Sequence, residues 1–581
     1  MKNDSALKPK NEIYLSFLER VLGVFIFLTL FLYFINISKK NINWDEFNYL
    51  SQIYSHKEGR PLVPLQTFHI HFFSWLLEFF DNEIYQIILA RYIVFFFFLG
   101  GVYLLFNLSL KYGKKTEALF VIFLVLSHTD IIRHGYSFRP DPICLFFFLL
   151  TIYFIIKNSL FSFYFSGFTF SICLLFSIKS IFYIPTIFLI FFFFKDEKPK
   201  NYSCTKKISL FLFSLILFFS ILFLLHNFSL IGQKSSSNFS GGISKAENLA
   251  SSAIDRMFWT GKLFPQRGWV IRSLIENYII CYIFLFGFYN SIKNIINKKN
   301  ILKYCFYLSF ALPLLTISFY RNSFPYYWVF VLPPALLTAV AYTALDENLY
   351  EKSRKSIFII LFLPVLLLSF NSIKFLTQEI KNNSIKNQKK TIELIHQLFP
   401  TPTPYIDGRN MVPSFPQAGI WMSTLGMETY RSNGIPVMRN RIEKYQPKLL
   451  LVNVPALDVF DENYFLKKNN QQKLFYEDYS VLKNNFIEHW GLIYVPGKIF
   501  DKINFLKKQK FEILIEGLYT IESNGRLKID DNQFNSNDKL FLTKGEHKIE
   551  SSNATLVVLR FGSNLIRPDS PPPKKPFFEN L

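Results

Sequence analysis

The chain has 581 residues, 64 Lys+Arg against 42 Asp+Glu (formal charge +22), and is half hydrophobic, with 70 Phe. Read as soluble, that length would give roughly three or four domains. The apolar residues instead gather in uninterrupted runs such as 21–37, 208–225 and 357–370, each near the length that crosses ~30 Å of hydrocarbon. This excludes a soluble multidomain protein and predicts a polytopic membrane protein with a polar C-terminal region.

In chain order the pattern predicts about eleven membrane helices, near 15–37, 86–108, 117–133, 142–156, 160–177, 181–194, 208–230, 271–290, 304–320, 326–345 and 356–374. Pro185, Pro313, Pro333, Pro334 and Pro364 fall inside spans, which bundled membrane helices tolerate. The first run is too long for a cleaved signal peptide and lacks a small-residue cleavage site. With Lys2, Lys8, Lys10 and Arg20 in the cytoplasm, the Lys-rich loops at 111–115, 157, 195–207, 293–303 and 352–355 all fall on that same side. That places the N-terminus in the cytoplasm and everything after about residue 375 outside an inner, plasma-type membrane. These lysines orient the chain, so no nucleic-acid partner is expected. The outer loop at 231–270 starts Ser/Gly-rich and reads as a lid.

The last third changes character. Segment 377–390 is Lys/Asn/Gln-rich and reads as a linker, followed by an amphipathic helix near 391–399 and an apolar strand at 448–454. From 508 the sequence alternates with period two over 511–518, 526–529, 539–542, 547–549 and 555–560. Gly517, Asn524-Gly525 and Lys544-Gly545 separate these runs, which predicts an antiparallel β unit. The expected fold class is an α-helical polytopic membrane bundle with a C-terminal extracytoplasmic α/β plus antiparallel β domain. The divisions are 1–376 (transmembrane), 377–505 (α/β), 506–566 (antiparallel β) and 567–581 (Pro-rich tail). No cysteine follows Cys305, so neither a disulfide framework nor a cysteine zinc site is expected there.

Two motifs carry chemistry. Trp44-Asp45-Glu46 sets adjacent acids just past the first span, suited to a general base, a metal ligand or a cation clamp. The plain alternative is a solvated helix start with Asp45 as N-cap. The second motif, Arg133-His134-Gly135-Tyr136-Ser137-Phe138-Arg139-Pro140-Asp141-Pro142, bunches two Arg, a His and an Asp at a helix end. A charge inside the bilayer costs ~2.5–3.5 kcal/mol even on insertion scales, so such a group faces a cavity or a lipid phosphate. Snorkelling suits a lone Arg better.

Taken together, the Asp-Glu pair after the first helix and the Arg-Pro-Asp segment opening the fourth resemble the GT-C superfamily of membrane glycosyltransferases. The similarity is to the branch of protein O-mannosyltransferases and the lipid A aminoarabinose transferase. Phe176-Ser177-Ile178-Lys179-Ser180 is similar to the branch's Lys-bearing outer loop, and Arg321-Asn322-Ser323-Phe324-Pro325-Tyr326-Tyr327 resembles its Arg/Tyr-Pro stretch. Pro404-Tyr405-Ile406-Asp407-Gly408 and Gln446-Pro447-Lys448 resemble its extracytoplasmic appendage.

The resemblance implies inverting transfer of a sugar from a polyprenyl-phosphate carrier, at the outer leaflet, to a lipid, glycan or protein acceptor. It assigns Asp45 as base or acceptor-orienting carboxylate, with Glu46 in support and Asp141 as a second carboxylate. Arg139, Lys179 and Arg321, with Arg133 and His134 as further candidates, would clamp the lipid phosphate; Tyr326 and Glu276 would line the cavity. Where the aminoarabinose branch has Glu-Lys-Pro-Pro, this chain reads Leu65-Gln66-Thr67-Phe68-His69-Ile70-His71. His69 and His71 would then take a phosphate-binding lysine's place or hold a divalent ion; no metal is expected. This departure counts against lipid A as substrate. The competing classes are a flippase for lipid-linked saccharide, which predicts midplane charges and an inverted repeat, and a non-catalytic assembly protein.

Overall fold

A computed structural model describes residues 8–59, 67–193, 203–230, 263–343, 354–381, 385–466, 472–501, 508–551, 554–563 and 565–573. Most of the loop read as a lid, 231–262, lies outside them. The chain forms two compact units: Met1–Lys40 with Ser55–Asn382, and Asn41–Tyr54 with Asn383–Leu581.

The first unit is helical, and among the described residues helical structure falls within each predicted span. Among the described residues seven helices are long and apolar enough to cross a membrane: Ser16–Ile37, Glu83–Leu110, Pro140–Lys157, Cys204–His226, Tyr278–Ile296, Ile301–Ser318 and Pro325–Tyr342. Two predicted spans are broken. His128 turns extended (φ −75°, ψ 128°), ending Lys115–Ser127, and its ring accepts the Asp130 N–H to start Thr129–His134. Asn277 (φ −119°, ψ 30°) separates Arg267–Glu276 from Tyr278–Ile296.

Helix packing uses small residues where backbones approach. A Cβ on Gly167, in the Leu160–Phe176 helix, would lie 2.5 Å from the Phe211 carbonyl oxygen and 2.7 Å from Leu215 N, both on the Cys204–Leu230 helix. No rotamer relieves a clash with backbone. Gly167→Ala is therefore expected to lower thermal stability in detergent by about 1–3 kcal/mol, the usual range for overpacking. A melting temperature equal to wild type would show that the helices separate without cost.

The second unit carries two sheets. The seven-stranded one runs Tyr405–Ile406, Leu449–Leu451, Ile493–Asp501, Leu556–Phe561, Gly517–Ser523 and Lys539–Leu542, with Phe486–Trp490 paired to Ile493–Asp501. Its first pair is parallel and the others antiparallel. It joins strands from the 377–505 region to strands from the 506–566 region, through Val558 opposite Ile499. The four-stranded sheet runs Gln509–Ile513, Gly545–Ser551, Leu527–Ile529 and Asn532–Phe534. One core gathers Ile406, Leu450, Met438, Ile442 and Tyr494, and a second lies between Phe500, Ile521, Ile549 and Leu559. The Trp44–Lys57 helix starts in this unit.

Candidate functional site

In the first unit, Arg139 is the extended N-cap residue of the Pro140–Lys157 helix, and Asp141 stands in its first turn. Pro140 suits that place because the first helical N–H needs no partner. Asp141 is 1% exposed, and its carboxylate receives Arg139 Nε at 3.3 Å and Lys179 Nζ, which arrives from the Ile178–Tyr183 3-10 helix. The Arg139 guanidinium lies 3.4 Å from the Tyr326 ring centroid, and Lys179 Nζ lies 5.3 Å from that of Phe330. His134 meets the edge of Tyr326 at 6.4 Å, and its buried Nε2 has no hydrogen-bond partner among the described residues. Two cations, a carboxylate, an imidazole and a phenol thus converge from three stretches of sequence at the N-terminus of a membrane-length helix, whose dipole favours an anion.

Beside it, Arg133 is held by acids. Its Nη1 donates to Glu276 Oε2 at 2.8 Å and lies 3.5 Å from Asp130 Oδ1. Glu276 also accepts from Arg272 Nε at 2.8 Å and Thr129 Oγ1 at 2.9 Å, and Ser273 Oγ donates to Asp130 at 2.5 Å. This network ties the Thr129–His134 helix to the Arg267–Glu276 helix, where side chains rather than a continuous helix carry the load. The Arg133 carbonyl accepts from Lys40 Nζ at 2.5 Å. Arg91, 1% exposed, donates to the carbonyls of Ile37 and Lys40 at 3.2 and 2.8 Å, closing the end of the first helix. Sequence reasoning passed over Arg91; its signal was a lone charge inside an apolar run.

The two histidines of the His-x-His phrase part company, as positions i and i+2 of a helix must. His69 is fully buried among Phe73, Phe138 and Phe176, within the fields of Asp141 and Arg139. Burial lowers it to about 3, so it is a neutral imidazole. His71 stacks on His226, with Nδ1 atoms 3.1 Å apart, and meets the tilted ring of His56 at 5.3 Å. Among the described residues no three His, Cys, Asp or Glu side chains gather as a metal ion would require. Arg321 is half-buried on the turn before Pro325–Tyr327, and its carbonyl accepts from Gln266 Nε2 at 3.0 Å.

In the second unit, Asn43 rather than Asp45 caps the Trp44–Lys57 helix. Asn43 Oδ1 accepts the Asp45 N–H at 2.8 Å, and Glu46 Oε2 accepts the Asn43 N–H at 2.9 Å, a reciprocal capping box. Glu46 is fully buried and serves the helix start, whereas Asp45 is half-buried and brings its backbone N–H to the cap. After the Tyr405–Ile406 strand, Asp407 accepts the N–H groups of Arg409, Asn410 and Met411 at 3.0, 2.8 and 2.7 Å. Arg409, which sequence reasoning also missed, places its guanidinium 4.5 Å from the Trp44 ring and 5.5 Å from the Trp421 ring.

The fold is similar to that of solved structures. The crystal structure of ArnT from Cupriavidus metallidurans, bound to undecaprenyl phosphate, superposes with a TM-score of 0.51 at 12% identity, over 74% of this chain and 92% of that one. The likeness is one of fold. The archaeal oligosaccharyltransferase AglB from Archaeoglobus fulgidus, in complex with an inhibitory peptide and a dolichol-phosphate, aligns with a TM-score of 0.45 at 12% identity, over 92% and 76%. No family model and no curated protein sequence matches the chain. Within this fold, the charged cluster at Arg139, Asp141 and Lys179 is built by the Arg-Pro-Asp and Lys-bearing phrases that the sequence singles out.

Proposed function

We propose that the chain is an inverting glycosyltransferase. It moves a hexosyl or pentosyl group from a polyprenyl-phosphate carrier to a lipid, glycan or protein acceptor at the outer face of the membrane, with the N-terminus cytoplasmic and the C-terminal region extracytoplasmic. The observation that carries this reading is the convergence of Arg139 and Lys179 on Asp141 beneath Tyr326, at the N-terminus of a membrane-length helix. Its chemistry suits a phosphate on a lipid: a guanidinium offers a bidentate fork, an ammonium a point charge, and a helix N-terminus the positive end of a dipole.

In the reaction the acceptor hydroxyl attacks the anomeric carbon as the bond from that carbon to the phosphate oxygen breaks, and the electron pair leaves on the phosphate. Arg139, Lys179 and Arg321 stabilise the charge that grows there. Asp45 receives or orients the acceptor proton. Asp141 holds the two cations in register, so its role is to position them. Cells with and without the protein are compared by mass spectrometry of envelope lipids and glycoproteins. The expected result is loss of a mass of one sugar from one acceptor class. An unchanged acceptor profile, with carrier-linked sugar redistributed between leaflets, would replace this reading with that of a flippase.

A further inference from the structure

We propose that Arg409 is the positioning residue for Asp45, holding its carboxylate in one place for the acceptor; this rests on Asp45 being the carboxylate of the proposed reaction. Three observations within the second unit carry it. First, Arg409 sits on a loop whose backbone is fixed: Asp407 ties down three successive N–H groups and is itself held by Asn453 Nδ2 at 3.1 Å. Asn410 takes the left-handed conformation (φ 53°) that lets the loop turn back.

Second, the same loop grips the helix that carries Asp45. Asn410 Nδ2 donates to Asn48 Oδ1 at 3.0 Å and lies 3.1 Å from Ser51 Oγ, three and six residues beyond Asp45. Third, the guanidinium is seated by the indoles of Trp44, the neighbour of Asp45, and Trp421. Its buried Nε has no hydrogen-bond partner among the described residues. An Arg held by ring faces keeps that Nε–H for a carboxylate or for what the carboxylate receives. Burial lowers Arg409 to about 10, while the Asp45 and Asp407 carboxylates act to raise it.

The test uses the full-length protein in detergent, with a polyprenyl-phosphate-linked sugar as donor. Arg409→Ala is expected to lower kcat by about 10²-fold, the scale of a small misplacement of a reacting group, with donor KM unchanged. Arg409→Lys, which keeps the charge between the indoles, should recover part of that loss. If Arg409→Ala does not fold, Arg409→Lys alone decides, by a fall in kcat at constant KM and constant melting temperature. Wild-type kcat in the folded variants, or a fall that follows the melting temperature alone, overturns the inference. Asp45→Asn separates the two failures. Where it turns over normally, the assignment of Asp45 is wrong; where it is inactive while Arg409 variants run at full rate, only the role of Arg409 falls.

Discussion

Asp45→Asn should slow sugar transfer by about 10²- to 10⁴-fold, the range a positioned general base contributes, while donor affinity and melting temperature hold. The reason is the division of labour between two adjacent acids. Glu46 is buried and spends its carboxylate on the Asn43 N–H, and Asn43 spends its amide oxygen on the Asp45 N–H. Neither of these two bonds uses the Asp45 side chain. Asn has nearly the same shape as Asp and leaves the helix intact, but it accepts no proton and has no charge to offer Arg409. Glu46→Gln gives the contrast: a loss of about 1 kcal/mol in stability, the usual worth of a cap, with transfer retained. Wild-type turnover by Asp45→Asn, assayed on purified protein with lipid-linked donor, would remove Asp45 from the reaction. Inactivity of a well-folded Glu46→Gln would pass the role to Glu46.

The parts of the fold that hydrophobicity alone determines were legible in the letters. A run such as 208–225 has few other places to go than a bilayer, and it forms the Cys204–Leu230 helix. Strand runs such as 539–542 appear as read. The breaks at His128 and Asn277 were not legible, because neither is Pro or Gly; they are held open by side-chain bonds to residues far along the chain, such as the Thr129 N–H to Asn277 Oδ1 at 2.9 Å. The Ile493–Asp501 strand was hidden for the opposite reason. Pro496-Gly497 reads as a turn, yet the strand runs through it, because Gly497 leaves room where a Cβ would stand 2.5 Å from the Leu559 carbonyl oxygen. At the site, charge bunching pointed to Arg139 and Asp141, and the family phrase to Lys179. Arg409 stood in an ordinary Asp-Gly-Arg-Asn turn, and only its packing between Trp44 and Trp421 sets it apart.

Arg139→Ala should weaken binding of the lipid-phosphate donor by about 30-fold or more, since truncating one partner of a buried, hydrogen-bonded charge pair costs ~2–5 kcal/mol and each ~1.4 kcal/mol is tenfold. The side chain does two jobs here. Its Nε pairs with Asp141 at 3.3 Å, and its plane lies on Tyr326 at 3.4 Å. Removing it leaves Asp141 paired with Lys179, so the buried carboxylate keeps one cation and the protein is expected to fold. Arg139→Lys restores the charge but neither the planar fork nor the stacking, and should fall between Ala and wild type. Competition by polyprenyl phosphate against the sugar-linked donor reads this directly, because both carry the phosphate and only one carries the sugar. Loss of affinity for both places Arg139 on the phosphate; loss for the donor alone places it on the sugar. Unchanged affinity in a folded Arg139→Ala would make the cluster a structural ion pair and leave Arg321 as the next cation to test, by Arg321→Ala in the same assay.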